Sequence, residues 1–200
     1  HIEVVDSVTI RGYRFSEGWA KGQRVYFETR FSTPFSAVHI DSTAILSVTD
    51  TITKATKRIG TAFKARFDFK TASGDQVTLT TALSGVSMEG ASKNLKAEAP
   101  KDDFEYYLAQ AEKNWNDELG KIAIQTKDQD EHVKFYTALY HSMLAPTIFG
   151  DVDGSYMGAD RKIHQAENWT NYSTFSLWDT YRASHPLFTL TDPDRVNDMI

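Results

Sequence analysis

The sequence predicts an antiparallel β-sandwich followed by α-helices. Two observations predict it. Apolar and polar residues alternate with period two through the first ninety or so residues, and apolar residues recur at three- and four-residue steps after Pro100. Period two places alternate side chains on opposite faces of a strand, whereas steps of three and four place them on one face of a helix.

The strand pattern is plainest from Val25 to Phe31. Val25, Phe27, Thr29 and Phe31 share one face, and Arg24, Tyr26, Glu28 and Arg30 share the other. Phe63, Ala65, Phe67 and Phe69 alternate with Lys64, Arg66, Asp68 and Lys70. After the turn signal Ser73-Gly74-Asp75, Val77, Leu79, Thr81 and Leu83 repeat the pattern. Several short half-buried strands of this kind bury their apolar faces by stacking two sheets.

The first helix carries Phe104, Leu108, Ala111, Trp115 and Leu119 on one face, with Asp102 or Asp103 available to cap it. A second helix carries Val133, Tyr136, Leu139, Tyr140, Met143 and Leu144, and Thr126 and Gln129 have the spacing of a capping box at its start. A loop rich in Gly and Asp runs from Gly150 to about Asp160. A third helical pattern spans roughly Phe175 to Ser184, with Pro186 at its end, and Asp192-Pro193 reads as an N-cap followed by proline in the first turn of a further helix. Both ends of the chain have the look of cuts within a longer protein.

Composition narrows the function. The net charge of −5 is dispersed, without the basic stripe that a nucleic-acid partner requires. No apolar run approaches the ~18 residues of a membrane span. The chain has no cysteine, so it has neither disulfides nor thiolate metal sites. His39, His132, His141, His164 and His185 lack metal-binding spacing. Asp151-Val-Asp153-Gly154 suggests calcium, but Tyr156 stands where an EF-hand loop needs Gly and Lys162 where it needs Glu, so a turn is the simpler reading. Asn168-Trp-Thr170 and Asn171-Tyr-Ser173 are glycosylation sequons, relevant only in a eukaryotic secretory host.

Several ordered strings are more specific. They are Gly12-Tyr-Arg-Phe-Ser16 with Gly18-Trp19-Ala20, then Asn94-Leu95, then Phe135-Tyr-Thr-Ala-Leu-Tyr-His141 continuing through Leu144-Ala-Pro146 to Asp151-Val-Asp-Gly154. They end with Ser173-Thr-Phe-Ser-Leu-Trp-Asp-Thr-Tyr-Arg182, His185-Pro-Leu187 and Arg195-Val-Asn-Asp-Met199. In this order they resemble the α-mannosidases of glycoside hydrolase family 92. The resemblance covers most of the chain and is densest from Phe135 onward.

That resemblance implies residues 1–90 as part of an N-terminal β-sandwich, 91–145 as a helical linker and 146–200 as the start of an (α/α)6 catalytic barrel. It implies exo-acting, inverting, calcium-dependent release of α-linked mannose from mannosides or N-glycans by a secreted or periplasmic enzyme. The catalytic acid and base, and most of the calcium ligands, are expected outside this stretch. Within it, Trp178-Asp179 is implied to contribute to the pocket for the terminal mannose, with Arg182 beside it. From the residues alone, Trp178 also reads as core, Asp179 as a helix cap, and Arg182 as an ion-pair partner of Asp179 or a solvent-facing residue. Two other readings fit the two-part plan less well. A carbohydrate-binding sandwich module has no need of the helices after Pro100, and a polysaccharide lyase or sugar phosphorylase needs a different catalytic pair or a phosphate pocket.

Overall fold

The computed structural model describes residues 1–18, 21–42, 50–52, 57–58 and 63–199. Trp19 and Ala20 of the Gly18-Trp19-Ala20 string, and the side chain of Phe63, lie outside the described residues. The chain forms two compact units: His1–Asp103 together with Asp151–His164, and Phe104–Gly150 together with Gln165–Ile200.

The first unit is built on two antiparallel sheets. Five strands, β1 (Ile2–Val4), β2 (Thr9–Ser16), β3 (Gln23–Phe31), β6 (Lys57–Arg58) and β8 (Leu79–Ser84), lie in the order β6-β1-β2-β3-β8. Three more, β4 (Phe35–Ser42), β5 (Asp50–Ile52) and β7 (Phe63–Phe69), lie in the order β5-β4-β7. The core is where the two sheets meet. Ile2, Ile10 and Phe31 of the larger sheet pack with Val38 and Ile40 of β4. Phe31 lies 5.0 Å from Phe67 and 5.5 Å from Phe69, centroid to centroid, within the range of favourable offset and edge contacts. This is the sandwich that the alternation predicts.

Gly12 explains its own place in the Gly12–Ser16 string. A Cβ there would stand 2.2 Å from the backbone oxygen of His1 and 3.0 Å from the Phe27 ring, so no larger residue fits between the strands.

Two expectations for this unit are corrected. Glu28, on the charged face of a strand expected to be half-buried, is buried and accepts a hydrogen bond from the Ser92 hydroxyl. On β8, Leu79 and Leu83 are 58% and 59% exposed, while Ala82 and Ser84 are buried. One cause explains both. Helix α1 (Met88–Glu98), which the period analysis does not find, packs on β3 and β8 and covers the face that carries Glu28 and its register partner Ala82. Leu79 and Leu83 stand opposite Phe31 and Phe27, on the edge strand of the sheet. Ser87 caps α1 by accepting from the Gly90 N–H at 2.9 Å, and Gly90, Ala91, Asn94 and Leu95 form its buried face.

The hairpin of β9 (Ser155–Met157) and β10 (Ile163–Gln165) replaces part of the loop expected from Gly150 to Asp160.

In the second unit, α2 (Phe104–Leu119) forms over the predicted span, but its apolar stripe is not covered: no residue of α2 is buried, and Phe104, Leu108 and Ala111 are exposed. Trp115 meets Tyr140 of α3 (Gln129–Ser142) edge-on at 4.6 Å. The cap of α3 is Asp128, which accepts from the Asp130 N–H, while Thr126 accepts from Asp128 one step earlier. An aspartate two residues past the threonine competes for the same role and is the stronger acceptor. The single helix expected from Phe175 to Ser184 is two. These are α4 (Leu177–Thr180) and α5 (Ser184–Thr191), separated at Ala183 by a left-handed φ of 64°. Pro186 therefore lies in the first turn of α5, where its missing N–H has no helical partner to lose, rather than at a helix end. Asp192 is the C-cap of α5, and its carbonyl accepts from Arg195 and Val196 as the following turns begin.

A charged cluster ties α2 to α5. Lys121 Nζ lies 2.7 Å from Asp192 Oδ1 and also binds Glu118, and Arg195 donates to Glu118 at 2.9 Å. Burial acts to raise the Asp192 carboxyl, but Lys121, Thr191 and Arg195 outweigh it and hold the group below its ordinary value.

Candidate functional site

The run Ser173–Arg182 is seated by short pairings with residues 147–149. Ser173 N donates to Thr147 O, Phe149 N donates to Asn171 O, and Asn171 Nδ2 donates to Phe149 O at 2.9 Å. These bonds deliver the chain to Ser176, which precedes α4. In the single turn Leu177–Thr180, successive side chains diverge by about 100°. Leu177 consequently lines a cleft of about 990 Å³ with Trp169, Tyr172, Phe175, His185 and Phe188. Trp178 and Asp179 lie outside that lining.

Trp178 is 90% exposed, so it is not a core residue in this chain, and Asp179 beside it is exposed as well. Arg182 turns toward its neighbour. Its Nε donates to the Tyr181 hydroxyl at 2.8 Å, and its guanidinium stands 5.4 Å from the Tyr181 ring centre. The structure thus leaves Trp178 and Asp179 both exposed, as neighbours in one helical turn, and directs Arg182 to Tyr181. An indole face and a neighbouring carboxylate are groups that can take up a sugar: the ring packs on C–H groups and the carboxylate accepts from hydroxyls. The cleft that Leu177 lines mixes aromatic, aliphatic and polar side chains. His185 at its edge is held by Thr180 Oγ1 at 3.1 Å and by edge contact with Phe175.

The string Asp151–Gly154 has a different role from the one its composition suggests. Asp151 is buried, with one carboxylate oxygen 2.8 Å from Ser84 Oγ and the other 2.9 Å from Asn94 Nδ2. Asp153 pairs with Lys93 at 2.6 Å. These carboxylates face hydrogen-bond donors and an ammonium group, which do not fit a calcium ion, because every oxygen a cation would need already accepts from N–H or O–H. Among the described residues, no group of three His, Asp or Glu side chains is arranged to hold a metal.

The hydrogen bond from Lys93, aided by the Ser155 N–H, lowers the Asp153 carboxyl from 3.8 to about 2. A depressed carboxyl stabilises the fold above its unfolded value and ceases to do so as pH falls through its folded value. Asp153→Asn should therefore lower the melting temperature slightly at neutral pH, because the pair is solvent-exposed and screened. The gap from wild type should close between pH 3.8 and about 2. Melting curves for both proteins across that range check this. A gap independent of pH would contradict it.

Comparison with known families decides the affiliation. Residues 1–84 match the glycosyl hydrolase family 92 N-terminal domain, and residues 90–200 match the family 92 catalytic domain. The chain belongs to glycosyl hydrolase family 92. It is similar to a solved family 92 alpha-mannosidase from Bacteroides thetaiotaomicron, with 36% identity and a TM-score of 0.81 over 94% of this chain and 26% of that one. A second structure of that mannosidase, in complex with mannoimidazole, matches at 35% identity and a TM-score of 0.79, over 94% of this chain and 25% of that one. A family 92 inverting mannosidase from Bacteroides thetaiotaomicron VPI-5482 matches at 25% identity and a TM-score of 0.77, over 94% of this chain and 26% of that one. The chain thus spans about a quarter of the length of these structures. A search of curated proteins returned no match. Sheets followed by helices, as these family 92 structures have, is the fold class that the two periods predict.

Proposed function

We propose that the intact protein is an exo-acting α-mannosidase that releases terminal α-linked mannose from mannosides or N-glycans, with inversion and with calcium. The single observation that carries this reading is the exposed Trp178-Asp179 pair on α4, in a chain 36% identical to a family 92 alpha-mannosidase. In this reading residues 1–90 are sandwich, 91–145 a helical linker, and 146–200 the opening of an (α/α)6 barrel. The protein is secreted or periplasmic. Among the described residues, no helix is long and apolar enough to cross a membrane.

Inversion needs a carboxylic acid to protonate the leaving oxygen and a carboxylate ~6.5–9.5 Å away to activate water. Both are assigned to the enzyme beyond these 200 residues, as are most calcium ligands. Calcium, when bound there, orients sugar hydroxyls and stabilises developing charge. The residues of this chain bind and orient. Asp179 accepts from hydroxyls of the terminal mannose as a binding group. Trp178 supplies an apolar wall that excludes water from one side of the ring. Arg182 is a peripheral donor whose guanidinium must leave Tyr181 to reach the sugar.

The test is mannose release by the intact protein from α-1,2-, α-1,3-, α-1,4- and α-1,6-mannobiosides, with and without a chelator. Release from at least one linkage, abolished by chelation and restored by calcium, is expected. Release of a different sugar only, or release indifferent to chelation, contradicts the reading.

A further inference from the structure

Family boundaries and physical boundaries do not coincide in this chain. The N-terminal family match ends at Ser84 and the catalytic match begins at Gly90, yet the sheet unit continues to Asp103 and takes in Asp151–His164. Residues 151–164 follow 47 residues of the other unit, Phe104–Gly150, and precede the rest of it. Something must attach them to the sheet rather than to the helices that flank them in sequence.

The attachment is a buried polar node. Ser84 Oγ accepts from the Val86 and Ser87 N–H groups and donates to Asp151 Oδ2 at 2.8 Å. Asn94 Nδ2 donates to Leu83 O at 2.8 Å and to Asp151 Oδ1 at 2.9 Å, while Asn94 Oδ1 accepts from the Val152 N–H. The Asp151 N–H in turn donates to Ser155 O, where the hairpin begins. Each oxygen of Asp151 therefore meets a fixed donor, and each donor is fixed by β8 or α1. A second, exposed tie runs beside it, Lys93 Nζ to Asp153 Oδ2 at 2.6 Å.

We propose that Asp151 is an anchoring residue. Through Ser84 and Asn94 it makes the 151–164 arm a rigid part of the N-terminal sheet unit, so that the hairpin and the groups it carries, Tyr156, Asp160 and His164, are presented by that unit and not by the helical one. Only a carboxylate serves. An amide at 151 would turn an NH2 toward Ser84, whose oxygen already accepts two backbone N–H groups, or toward the Asn94 NH2.

The test is amide hydrogen exchange on the intact protein, wild type and Asp151→Asn. In the wild type, the Gly154, Gly158 and Arg161 amides should exchange as slowly as those of β8. In Asp151→Asn they should speed up by about tenfold or more while α2 amides keep their rates, because loss of a buried hydrogen bond opens the arm locally. Trypsin should then cut the variant after Arg161 or Lys162 at a concentration that spares the wild type. Hairpin amides unchanged by the substitution would overturn the proposal. If the variant does not fold, a zero-length carbodiimide applied to the wild type decides the matter. It should activate the Asp153 carboxylate for attack by Lys93 Nζ, the reagent leaving as its urea with the elements of water, and leave an amide between residues 60 positions apart. Absence of that cross-link would equally overturn the proposal. Neither measurement depends on mannosidase activity.

Discussion

Asp179→Ala should lower kcat/KM of the intact enzyme on an α-mannobioside by about one to three orders of magnitude. A charged acceptor in a closed sugar pocket contributes roughly 1.5–3 kcal/mol per hydrogen bond, and removing it leaves sugar hydroxyls without a partner. The loss should not arise from unfolding. Asp179 is exposed on a four-residue helix in this chain, and substitutions at such positions ordinarily move stability by less than about 0.5 kcal/mol. An aryl mannoside with a good leaving group separates binding from proton transfer. A general acid becomes dispensable when the leaving group needs no proton, whereas a binding group does not. The deficit of Asp179→Ala should therefore persist on the aryl substrate. Near-wild-type activity on both substrates would return Asp179 to a helix-surface role, and selective rescue on the aryl mannoside would make it the acid.

The second large effect is on stability. Gly90→Ala is expected to destabilise the protein by about 2–4 kcal/mol, against the intrinsic preference of helices for alanine over glycine, which is worth about 1 kcal/mol. A Cβ on residue 90 would lie 2.0 Å from Asp151 Oδ2 and 2.7 Å from Ser84 Oγ. Neither neighbour can withdraw cheaply. Ser84 is held by two backbone N–H groups, and Asp151 by Asn94. To admit the methyl group the node must open and leave a buried carboxylate short of a donor. Thermal unfolding of the intact protein checks this, and a variant as stable as wild type, or more so, would contradict the described packing of α1.

The same node shows what period and composition can and cannot convey. The alternation along Val25–Phe31 and the steps of three and four from Phe104 to Leu119 carry large apolar residues, so a strand and a helix can be read from spacing, although the stripe on α2 is not buried. Helix α1 escapes because its buried face is Gly90, Ala91, Asn94 and Leu95, in which only Leu95 is a large apolar residue. A helix that packs through small residues and a hydrogen-bonding Asn has almost no hydrophobic periodicity to detect. Its Ser87 cap, with Glu89 in the first turn and Lys96 in the last, is the local signal that could have revealed it. With α1 unseen, the burial of Glu28 and Ser84 cannot be foreseen either, since both depend on what covers the sheet. Asp151 reads as a turn residue because its partners, Ser84 and Asn94, lie 67 and 57 positions away. The break between α4 and α5 is hidden for a different reason. Spacing from Phe175 to Ser184 is compatible with one helix or two, and the left-handed backbone at Ala183 has no glycine to mark it. The Trp178-Asp179 string is legible as a motif, but its exposure on α4 is a property of the fold.

The central claim is that this chain belongs to an inverting, mannose-releasing enzyme. It is tested most directly by proton NMR of the intact protein acting on an α-mannoside, with spectra collected before the free sugar mutarotates. The account predicts that β-mannose appears first and α-mannose only later, as the anomers equilibrate. Initial release of α-mannose, or no release of mannose at all, would contradict it.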